Sequence, residues 1–442
     1  MLRVLARVTM VPVPVANKPL KILTIDGGGL QAISTLLILD ELLSAIAKNN
    51  GVQQRKPRPC DVFDTIAGIG AGGWLALLLG RFHMDITSCL SEWYKITQNI
   101  APRSGTEEIR MRLLKHCYFN PDRLVEQIDN LTRIYGTGEY LYANNTDGIR
   151  TRHVFVAAYR PDAKGYNLFR TYSIPQTAKL PEKLLEGPRN PAEFKISSAF
   201  GVTGAAKYFT THWKEQMATS GKIRFSDTRF PKPHNITELA LDEMWGIYGT
   251  EVPLSIIVNI GPGIPNTFDV RQIARRFSWG LKTPHNVPAP LKRSRSPPGD
   301  EEHPPKKRNT LLDNKAEPSS GGPSVQFHED TDKREGVSGS GVRKRSIVRI
   351  DTFGSIMDRK MEVKMKRDET KIECDIKKKL DNIYQGGSDI YYRLALDQAP
   401  RGTTLNDSSA SGAVMDATLN YLQSPPVGIK IDQIAQRMPE VY

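Results

Sequence analysis

The sequence predicts an α/β fold with a largely parallel central sheet and helices on both of its faces. Short apolar runs rich in β-branched residues, the type that forms strands buried on both faces, alternate with longer segments of helical periodicity. A glycine cluster follows each of the first two predicted strands and precedes a predicted helix, which is the order of a parallel βαβ sheet. The chain has 442 residues, 39% of them hydrophobic, enough for one large domain or a few average ones.

The predicted elements follow in chain order. Residues 20–26, LKILTID, form the first strand, and residues 30–51 repeat Leu, Ile and Ala at helical spacing before an Asn-Asn-Gly C-cap. The next strand and helix are VFDTIAG at 62–68 and GWLALLLGRF at 73–82. The remaining predicted elements are the strands HVFVAAY (153–159), PLSIIVNIG (253–261) and IYYRLALD (390–397), and a helix–loop–helix at 413–436.

Composition divides the chain. Residues 286–345 are rich in Pro, Gly, Ser and charge, and such a stretch buries too little apolar area to offset the entropy of ordering. We therefore predict a flexible lead at 1–19, one domain in two parts at 20–285 and 346–442, and a disordered basic insertion at 286–345. A surface loop tolerates an insertion of this length at small cost.

The net charge of +13 does not predict specific nucleic-acid binding. Many of the basic residues lie in the predicted insertion and in 359–380, without the interleaved aromatic residues of a nucleic-acid groove. Residues 292–308, KRSRSPPGDEEHPPKKR, hold two basic clusters separated by a spacer, the form of a bipartite nuclear import signal. The expected location is therefore the cytoplasm, and import into the nucleus through these two basic clusters is the alternative.

The cysteines, histidines and hydropathy of the sequence argue against a disulfide-bonded, metal-binding or membrane-spanning protein. The four cysteines are widely spaced and include no CxxC pair, so neither a disulfide framework nor a zinc site is predicted. His83, His116, His153 and His212 show no metal-ligand spacing. No apolar run reaches the ~18 residues that cross a bilayer, so we predict no transmembrane segment, and no metal or cofactor.

Two glycine clusters carry the chemistry, Gly27–Gly29 after Asp26 and Gly68–Gly73. Backbone N–H groups at the start of a helix bind anions, and glycine lets a ligand approach the backbone closely. The second cluster contains a formal GxGxxG at Gly68, Gly70 and Gly73, but its helix is short and no second strand ends in an acid about 20 residues later. A P-loop would need Gly-Lys-Ser/Thr, which neither cluster has. Nucleotide binding is thus the least favoured alternative.

The register of the second cluster is that of a nucleophile elbow, GxSxG. In this motif a serine stands on a strained strand-to-helix turn between small residues. Gly68 and Gly72 occupy the flanking positions, and Gly70 stands where the serine belongs. The sequence therefore predicts an elbow without its nucleophile, and no other GxSxG is present in the chain.

Together these motifs resemble the patatin-like phospholipases, particularly their fungal branch. The resemblance covers about 20–280 and 368–436. It rests on TIDGGGLQAIS, PCDVFDTIAGIGAGGWLALLLGRF, TGAAKYF, FSDTRFPKPHNITELALDE, IIVNIGPG and IYYRLALDQ. It implies a three-layer α/β sandwich and hydrolysis of lipid acyl esters by a Ser–Asp dyad. In that mechanism the serine attacks the ester, the aspartate takes its proton, and glycine amides stabilise the oxyanion.

Carried onto this chain, the resemblance places the dyad acid at Asp227 and the vacant nucleophile position at Gly70. The oxyanion donors are the amides of Gly27, Gly28 and Gly29. The chain departs from the family pattern at four further positions, where the usual Arg-Gly and the two glycines after the acid are replaced by Gln31, Ala32, Thr228 and Arg229. Asp26 is expected to cap or anchor the glycine turn.

Two functions remain open. The first is a catalytically impaired patatin-like protein, or pseudoenzyme, with a binding or signalling role; it would hold a lipid or fatty-acyl ligand and, if it signals, a protein partner. The second is an active lipid acyl hydrolase that uses a non-standard nucleophile or water activated by Asp227. Direct attack by water forgoes the covalent intermediate that divides the difficult step, so this route is expected to be slow.

Overall fold

The computed structural model describes the following parts of the chain: 18–51, 56–111, 113, 118–136, 138–142, 149–182, 184–185, 187–188, 191–205, 213–217, 221–225, 235–261, 263, 364, 366–396, 400 and 408–439. All of them belong to one unit, which combines residues before 273 with residues after 353. The predicted insertion at 286–345, its basic clusters at 292–308 and most of the predicted lead at 1–19 lie outside the described residues.

A seven-stranded mixed sheet forms the centre of the unit. The described strands are β1 (Leu20–Ile25), β2 (Thr65–Ile69), β3 (His153–Arg160), β4 (Gly165–Arg170), β5 (Leu184–Leu185), β6 (Trp213–Met217), β7 (Gly221–Phe225), β8 (Leu254–Gly261) and β9 (Tyr391–Ala395). The sheet order is β5-β4-β3-β2-β1-β8-β9, and β6 and β7 form a separate antiparallel pair. Strands β3, β2, β1, β8 and β9 run parallel, whereas β4 is antiparallel to β3.

Helices cover both faces of the sheet. They are α1 (Ala32–Asn49), α2 (Pro59–Val62), α3 (Ala71–Ala76), α4 (Ile86–Ile100), α5 (Gly105–Arg110), α6 (Pro121–Tyr135), α7 (Ile196–Thr203), α8 (Thr237–Tyr248), α9 (366–381), α10 (Ser408–Leu422) and α11 (Pro425–Gln436). Helices α1, α3, α4, α6, α7, α10 and α11 share one apolar core with the sheet, and α8 and α9 share another on its opposite face. The predicted α/β class with a largely parallel sheet and helices on both faces is confirmed.

Strand β1 shows how the sequence produces these layers. Successive side chains of a strand point to opposite faces of the sheet. Leu23 and Ile25 accordingly lie in the first core, and Leu20 and Ile22 lie in the second. Because both faces of the strand are apolar, its sequence is a continuous hydrophobic run rather than an alternating one.

The parallel strands place their carboxyl ends on one edge of the sheet, called the carboxyl edge below; the opposite one is the amino edge. Both glycine clusters follow parallel strands and therefore lie at the carboxyl edge, where ligands of open α/β sheets bind. Helix α3 runs from this edge toward the amino edge and continues in a π-helical turn, Leu77–Arg81. Within that turn Gly80 contacts Val154 and Ile66, near the amino ends of their strands.

One described helical segment, Gly29–Asn49, is long and apolar enough to cross a bilayer, with 21 residues and a mean hydropathy of 1.6. Within the apolar 18-residue stretch of this segment, 72% is buried inside the protein. Helix α1 packs between the sheet and the C-terminal helices, where Asn49 Nδ2 donates to the Ala435 carbonyl at 3.1 Å and the Ser34 and Thr418 hydroxyls are hydrogen-bonded. A core helix meets the same length and hydropathy criteria, so the described residues give no firm transmembrane span.

Candidate functional site

The turn between β2 and α3 has the backbone of a nucleophile elbow. Gly70 precedes the first residue of α3 with φ 61° and ψ −132°, a conformation that non-glycine residues adopt only under strain. The turn lies at the carboxyl edge, and a side chain on its apex would stand between strand and helix as the catalytic serine does in GxSxG. Gly70 has no side chain, so the apex carries no nucleophile.

Gly68 and Gly72 allow this turn to close. A Cβ atom on Gly68 would lie 2.1 Å from the carbonyl oxygen of Gly72. A Cβ atom on Gly72 would lie 2.4 Å from the carbonyl oxygens of both Ile25 and Asp26. These contacts explain the small residues on either side of the apex. They also place the first turn of α3 directly against the end of β1, where the first glycine cluster begins.

Thr203, the last residue of α7, holds the elbow from another side. Its Oγ1 accepts a hydrogen bond from the Gly70 N–H at 3.1 Å and donates one to the Ala157 carbonyl at 2.8 Å. The side chain is fully buried, and a Cβ atom on Gly73 would lie 2.4 Å from the same hydroxyl oxygen. Thr203 was not a predicted site residue. Because it occupies the Gly70 N–H, that amide is not free to bind a phosphate, which weighs against the nucleotide alternative.

Replacement of Thr203 by valine is expected to lower the free energy of unfolding by about 1–3 kcal/mol. Valine keeps the shape of the side chain but leaves the buried Gly70 N–H and the Ala157 carbonyl without their partner. Urea denaturation followed by circular dichroism measures the change. Thr203→Ser is the matched control, because it keeps the hydroxyl and loses only a methyl group. Equal losses in the two variants would show that the hydrogen bonds do not hold the elbow.

The first glycine cluster presents free amides beside the elbow. Gly27, Gly28 and Gly29 are partly exposed, and Gly29 has a φ of 61°. Within the part of the chain that the structure describes, none of their N–H groups donates to a backbone or side-chain acceptor. These three N–H groups, on a loop at the carboxyl edge, can donate hydrogen bonds to the oxygen of an anionic or carbonyl ligand.

The carboxylate of Asp26 anchors this loop to three other segments. Its Oδ2 accepts from Arg393 Nη1 at 2.6 Å, and its Oδ1 accepts from Asn259 Nδ2 at 3.0 Å and from the Ile236 N–H at 3.1 Å. Burial raises the pKa of Asp26, and the charge and hydrogen bond of Arg393 oppose that rise. Asp26 therefore anchors the glycine turn, as expected, but through partners distant in the sequence rather than as an N-cap.

A second carboxylate shares the guanidinium of Arg393. Glu369 Oε1 on α9 lies 3.4 Å from Arg393 Nη2, and burial raises the pKa of Glu369 while Arg393 opposes the rise. Arg393 lies on β9, in the part of the chain that follows the predicted insertion. The ion pair between Arg393 and Asp26 therefore fixes the loop of the first glycine cluster to the C-terminal part of the chain.

Asp227, the predicted dyad acid, lies outside the described residues, as do Thr228 and Arg229. The chain on either side of it is described. Phe225, at the end of β7, is buried and packs on Phe169 with ring centroids 5.4 Å apart. Ile236 donates its backbone N–H to Asp26, so the chain returns to the glycine loop after the segment that contains Asp227.

The other candidate residues are part of the packing. Burial lowers the pKa of His83 and of His153 to about 4, and His153 Nε2 lies 3.0 Å from the Tyr248 hydroxyl. Cys60 is buried, which raises the pKa of its thiol to about 12. No group of His, Cys, Asp and Glu among the described residues could hold a metal ion; His116 and His212 lie outside those residues.

Comparison with protein families identifies the domain that contains the two glycine clusters. Residues 23–229 match the family model described as patatin-like phospholipase. The chain contains a patatin-like phospholipase domain. The matched range includes both glycine clusters, Thr203 and Asp227, and it relates the domain to lipid acyl hydrolases.

Curated relatives match this chain over short segments. The chain is 39% identical over 77 residues to patatin-like phospholipase 1 of Plasmodium falciparum, which covers 17% of this chain and 11% of that protein. It is 35% identical over 92 residues to mouse calcium-independent phospholipase A2-gamma, 20% of this chain and 11% of that protein. It is 41% identical over 81 residues to phospholipase A I of Arabidopsis thaliana, 18% of this chain and 5% of that protein. The chain thus matches 11% or less of the length of these relatives.

Solved structures also align with part of this chain, two of them as follows. The crystal structure of VipD from Legionella pneumophila aligns with 58% of this chain and 52% of that chain, at 11% identity and a TM-score of 0.28. Human GIVD cytosolic phospholipase A2, in complex with methyl gamma-linolenyl fluorophosphonate and terbium chloride, aligns with 62% of this chain and 45% of that chain. The identity is 14% and the TM-score 0.30.

Proposed function

We propose that the patatin-like domain binds a lipid or fatty-acyl ligand and is unable to hydrolyse it by the covalent route of its family. The observation that carries this proposal is the apex of the elbow, where Gly70 has the elbow backbone and no side chain. An acyl-enzyme intermediate needs a hydroxyl or thiol at this point. A Cα hydrogen has no electron pair with which to attack an ester.

The binding half of the site is retained in this proposal. The free amides of Gly27, Gly28 and Gly29 would hold the carbonyl or carboxylate oxygen of the ligand. Asp227 would occupy the dyad-acid position without a nucleophile to deprotonate. The side of the elbow helix that faces the core is filled, since Trp74 is buried against Trp93 and Phe200. The acyl chain is therefore expected to approach from the carboxyl edge.

Departures in neighbouring motifs support loss of turnover. Gln31 and Ala32 stand where the family has Arg-Gly, and both are buried directly after the glycine cluster. Together with Thr228 and Arg229, these departures from the family pattern support a change in several motifs of the proposed site rather than at one position alone. The proposal therefore places the protein among binding or signalling members of the fungal branch that its motifs resemble, with a protein partner where it signals.

An active hydrolase is the second candidate, and the three free amides favour it because they keep the site for an oxyanion. In this alternative Asp227 activates water, or another group serves as nucleophile. Hydrolysis of a short-chain p-nitrophenyl ester above the blank, abolished by Asp227→Asn, would establish this route. Turnover at the blank rate is the result expected from the binding proposal.

Binding is tested with a fluorescent long-chain fatty acid titrated into the purified chain. We expect saturable binding that unlabelled fatty acid displaces. Gly29→Asp is expected to weaken binding about tenfold or more, because it adds a negative charge beside the amides that receive the carboxylate. Gly29→Asn is the matched control, since Asn and Asp both tolerate positive φ and only Asp is charged. Absence of saturable binding, or equal affinities of the two variants, would refute the proposed site.

A further inference from the structure

We infer that the carboxyl edge of the domain docks on an anionic phospholipid surface through α5 and the residues that follow it, with Ile109 and Leu113 entering the lipid and Arg103 and Arg110 contacting its anionic groups. This inference rests on the proposed function, because it supplies the surface from which a lipid would reach the glycine amides. It concerns different residues from the ligand site. The membrane surface and the ligand site can therefore be confirmed or refuted separately.

The path of the chain places α5 at the carboxyl edge. Helix α3 and its π-helical turn run from the elbow toward the amino edge, where the His83 carbonyl accepts from Arg58 Nη1, ahead of β2. Helix α4 then begins at Ile86 and, with 15 residues, returns over about 22 Å. The Ile100 carbonyl at its end accepts from the Asn120 N–H, at the start of α6. Helix α5 lies between these two ends and so shares the edge with both glycine clusters.

Two large aliphatic side chains are exposed at this edge, one on α5 and one three residues after it. Ile109 is 59% exposed and Leu113 is 55% exposed, whereas Met111 between them is 5% exposed. Residues 111 and 113 each have helical backbone, and a spacing of four residues places two side chains on the same face of a helix. The buried Met111 fixes the segment to the domain. Ile109 and Leu113 therefore flank a residue that is buried in the domain.

The exposed charged side chains described beside this pair are basic, whereas the acidic Glu107 and Glu108 of the same helix are partly buried. Arg103 and Arg110 are exposed, and among the described residues neither guanidinium forms an ion pair. Glu107 on the same helix is bound to Arg123, which lowers the pKa of its carboxyl group. Exposed aliphatic residues flanked by free basic residues are typical of segments that lie in a membrane interface and are attracted by anionic lipids.

Helix α9, on the opposite face of the sheet, adds basic residues to the surface at this edge. Helix α9 begins near the carboxyl edge, because Glu369 in its first turn reaches Arg393 beside Asp26. Arg367 and Lys371 on α9 are exposed. Basic residues therefore stand at this edge on both sides of the sheet, which fits a flat anionic surface such as a bilayer.

An exposed aliphatic residue at the amino edge provides the matched control. Ile134 is 76% exposed, and its neighbour Tyr135 packs edge-on to Phe82, after the π-helical turn of α3. Single exposed aliphatic residues are common on protein surfaces. What distinguishes Ile109 and Leu113 is that they have exposed basic neighbours and lie at the edge that carries the glycine amides.

The experiment is vesicle sedimentation with the full chain. Vesicles of phosphatidylcholine alone are compared with vesicles that also contain phosphatidylserine. We expect the wild type to partition onto the phosphatidylserine vesicles, and the double variant Ile109→Ser with Leu113→Ser to partition roughly tenfold or more weakly, because it loses the insertion of two aliphatic side chains. Arg110→Glu is expected to weaken binding to the anionic vesicles only, and Ile134→Ser to leave it unchanged.

Three results would overturn the inference. They are no sedimentation of the wild type with anionic vesicles, wild-type binding by the double variant, and a loss in Ile134→Ser equal to that of the double variant. Circular dichroism verifies that each variant is folded. Titration of the fluorescent fatty acid into the same variants separates this surface from the ligand site, because the double variant is expected to bind the monomeric ligand as the wild type does.

Discussion

Replacement of Gly68 by alanine is expected to lower the free energy of unfolding by about 3 kcal/mol or more. The added Cβ would lie 2.1 Å from the carbonyl oxygen of Gly72 and 2.8 Å from the Cβ of Ala76. The first of these contacts is with backbone at the start of α3, which cannot move aside as a flexible side chain can. The elbow must therefore open, or the helix must shift away from β2. Urea denaturation measures the loss.

Gly428→Ala is the control for this substitution. Gly428 lies in α11, and a Cβ atom added there has nothing within 4 Å. Alanine at an open helical position is expected to stabilise the protein by about 0.5–1 kcal/mol. The two glycine substitutions thus have opposite expected signs. A Gly68→Ala protein as stable as the wild type would mean that the turn does not have the closed geometry described here.

Replacement of Gly70 by serine is expected to make the protein react with a fluorophosphonate probe. The new hydroxyl would stand on the apex of the elbow at φ 61°, beside the free amides of Gly27–Gly29 that are proposed to hold an oxyanion. An activated serine in that position attacks phosphorus as it would attack an ester carbonyl. Intact-protein mass spectrometry measures the adduct, and p-nitrophenyl ester hydrolysis measures turnover.

Gly70→Ala separates the hydroxyl from the strain. Both side chains are forced into a positive φ, so both variants are expected to lose about 1–3 kcal/mol of stability. Only the serine variant is expected to form an adduct. A folded Gly70→Ser protein that reacts no faster than Gly70→Ala would contradict a retained dyad acid and oxyanion site beside the elbow.

Local sequence patterns predicted the elements around the site well. The apolar runs at 20–26 and 62–68 contain β1 and β2, although Val62, the first residue of the second run, ends α2. The helical repeat ending in Asn-Asn-Gly became α1, which ends at Asn49 before a Gly51 with a φ of 69°. The strand predicted at 390–397 became β9, at the end of the sheet. Buried parallel strands and long apolar helices repeat apolar residues at a regular spacing, and this pattern can be recognised from one sequence.

Contacts between distant segments could not be predicted in the same way. Arg393 and Asp26 form a buried ion pair although 367 positions separate them, and no periodicity relates the two. Thr203 holds the Gly70 N–H from a helix that is 133 residues away. Strand β4 was missed because GYNLFR mixes polar and apolar residues, and it lies antiparallel beside β3. The amphipathic helices α4 and α6 were not assigned either.

The most direct measurement is intact-protein mass spectrometry of the wild-type chain after prolonged incubation with a long-chain alkyl fluorophosphonate. The chain keeps an elbow and free amides but has hydrogen at the apex, so the predicted spectrum shows the unmodified mass alone. An adduct on the wild-type chain, mapped by peptide sequencing to any serine and formed in proportion to ester turnover, would contradict the account.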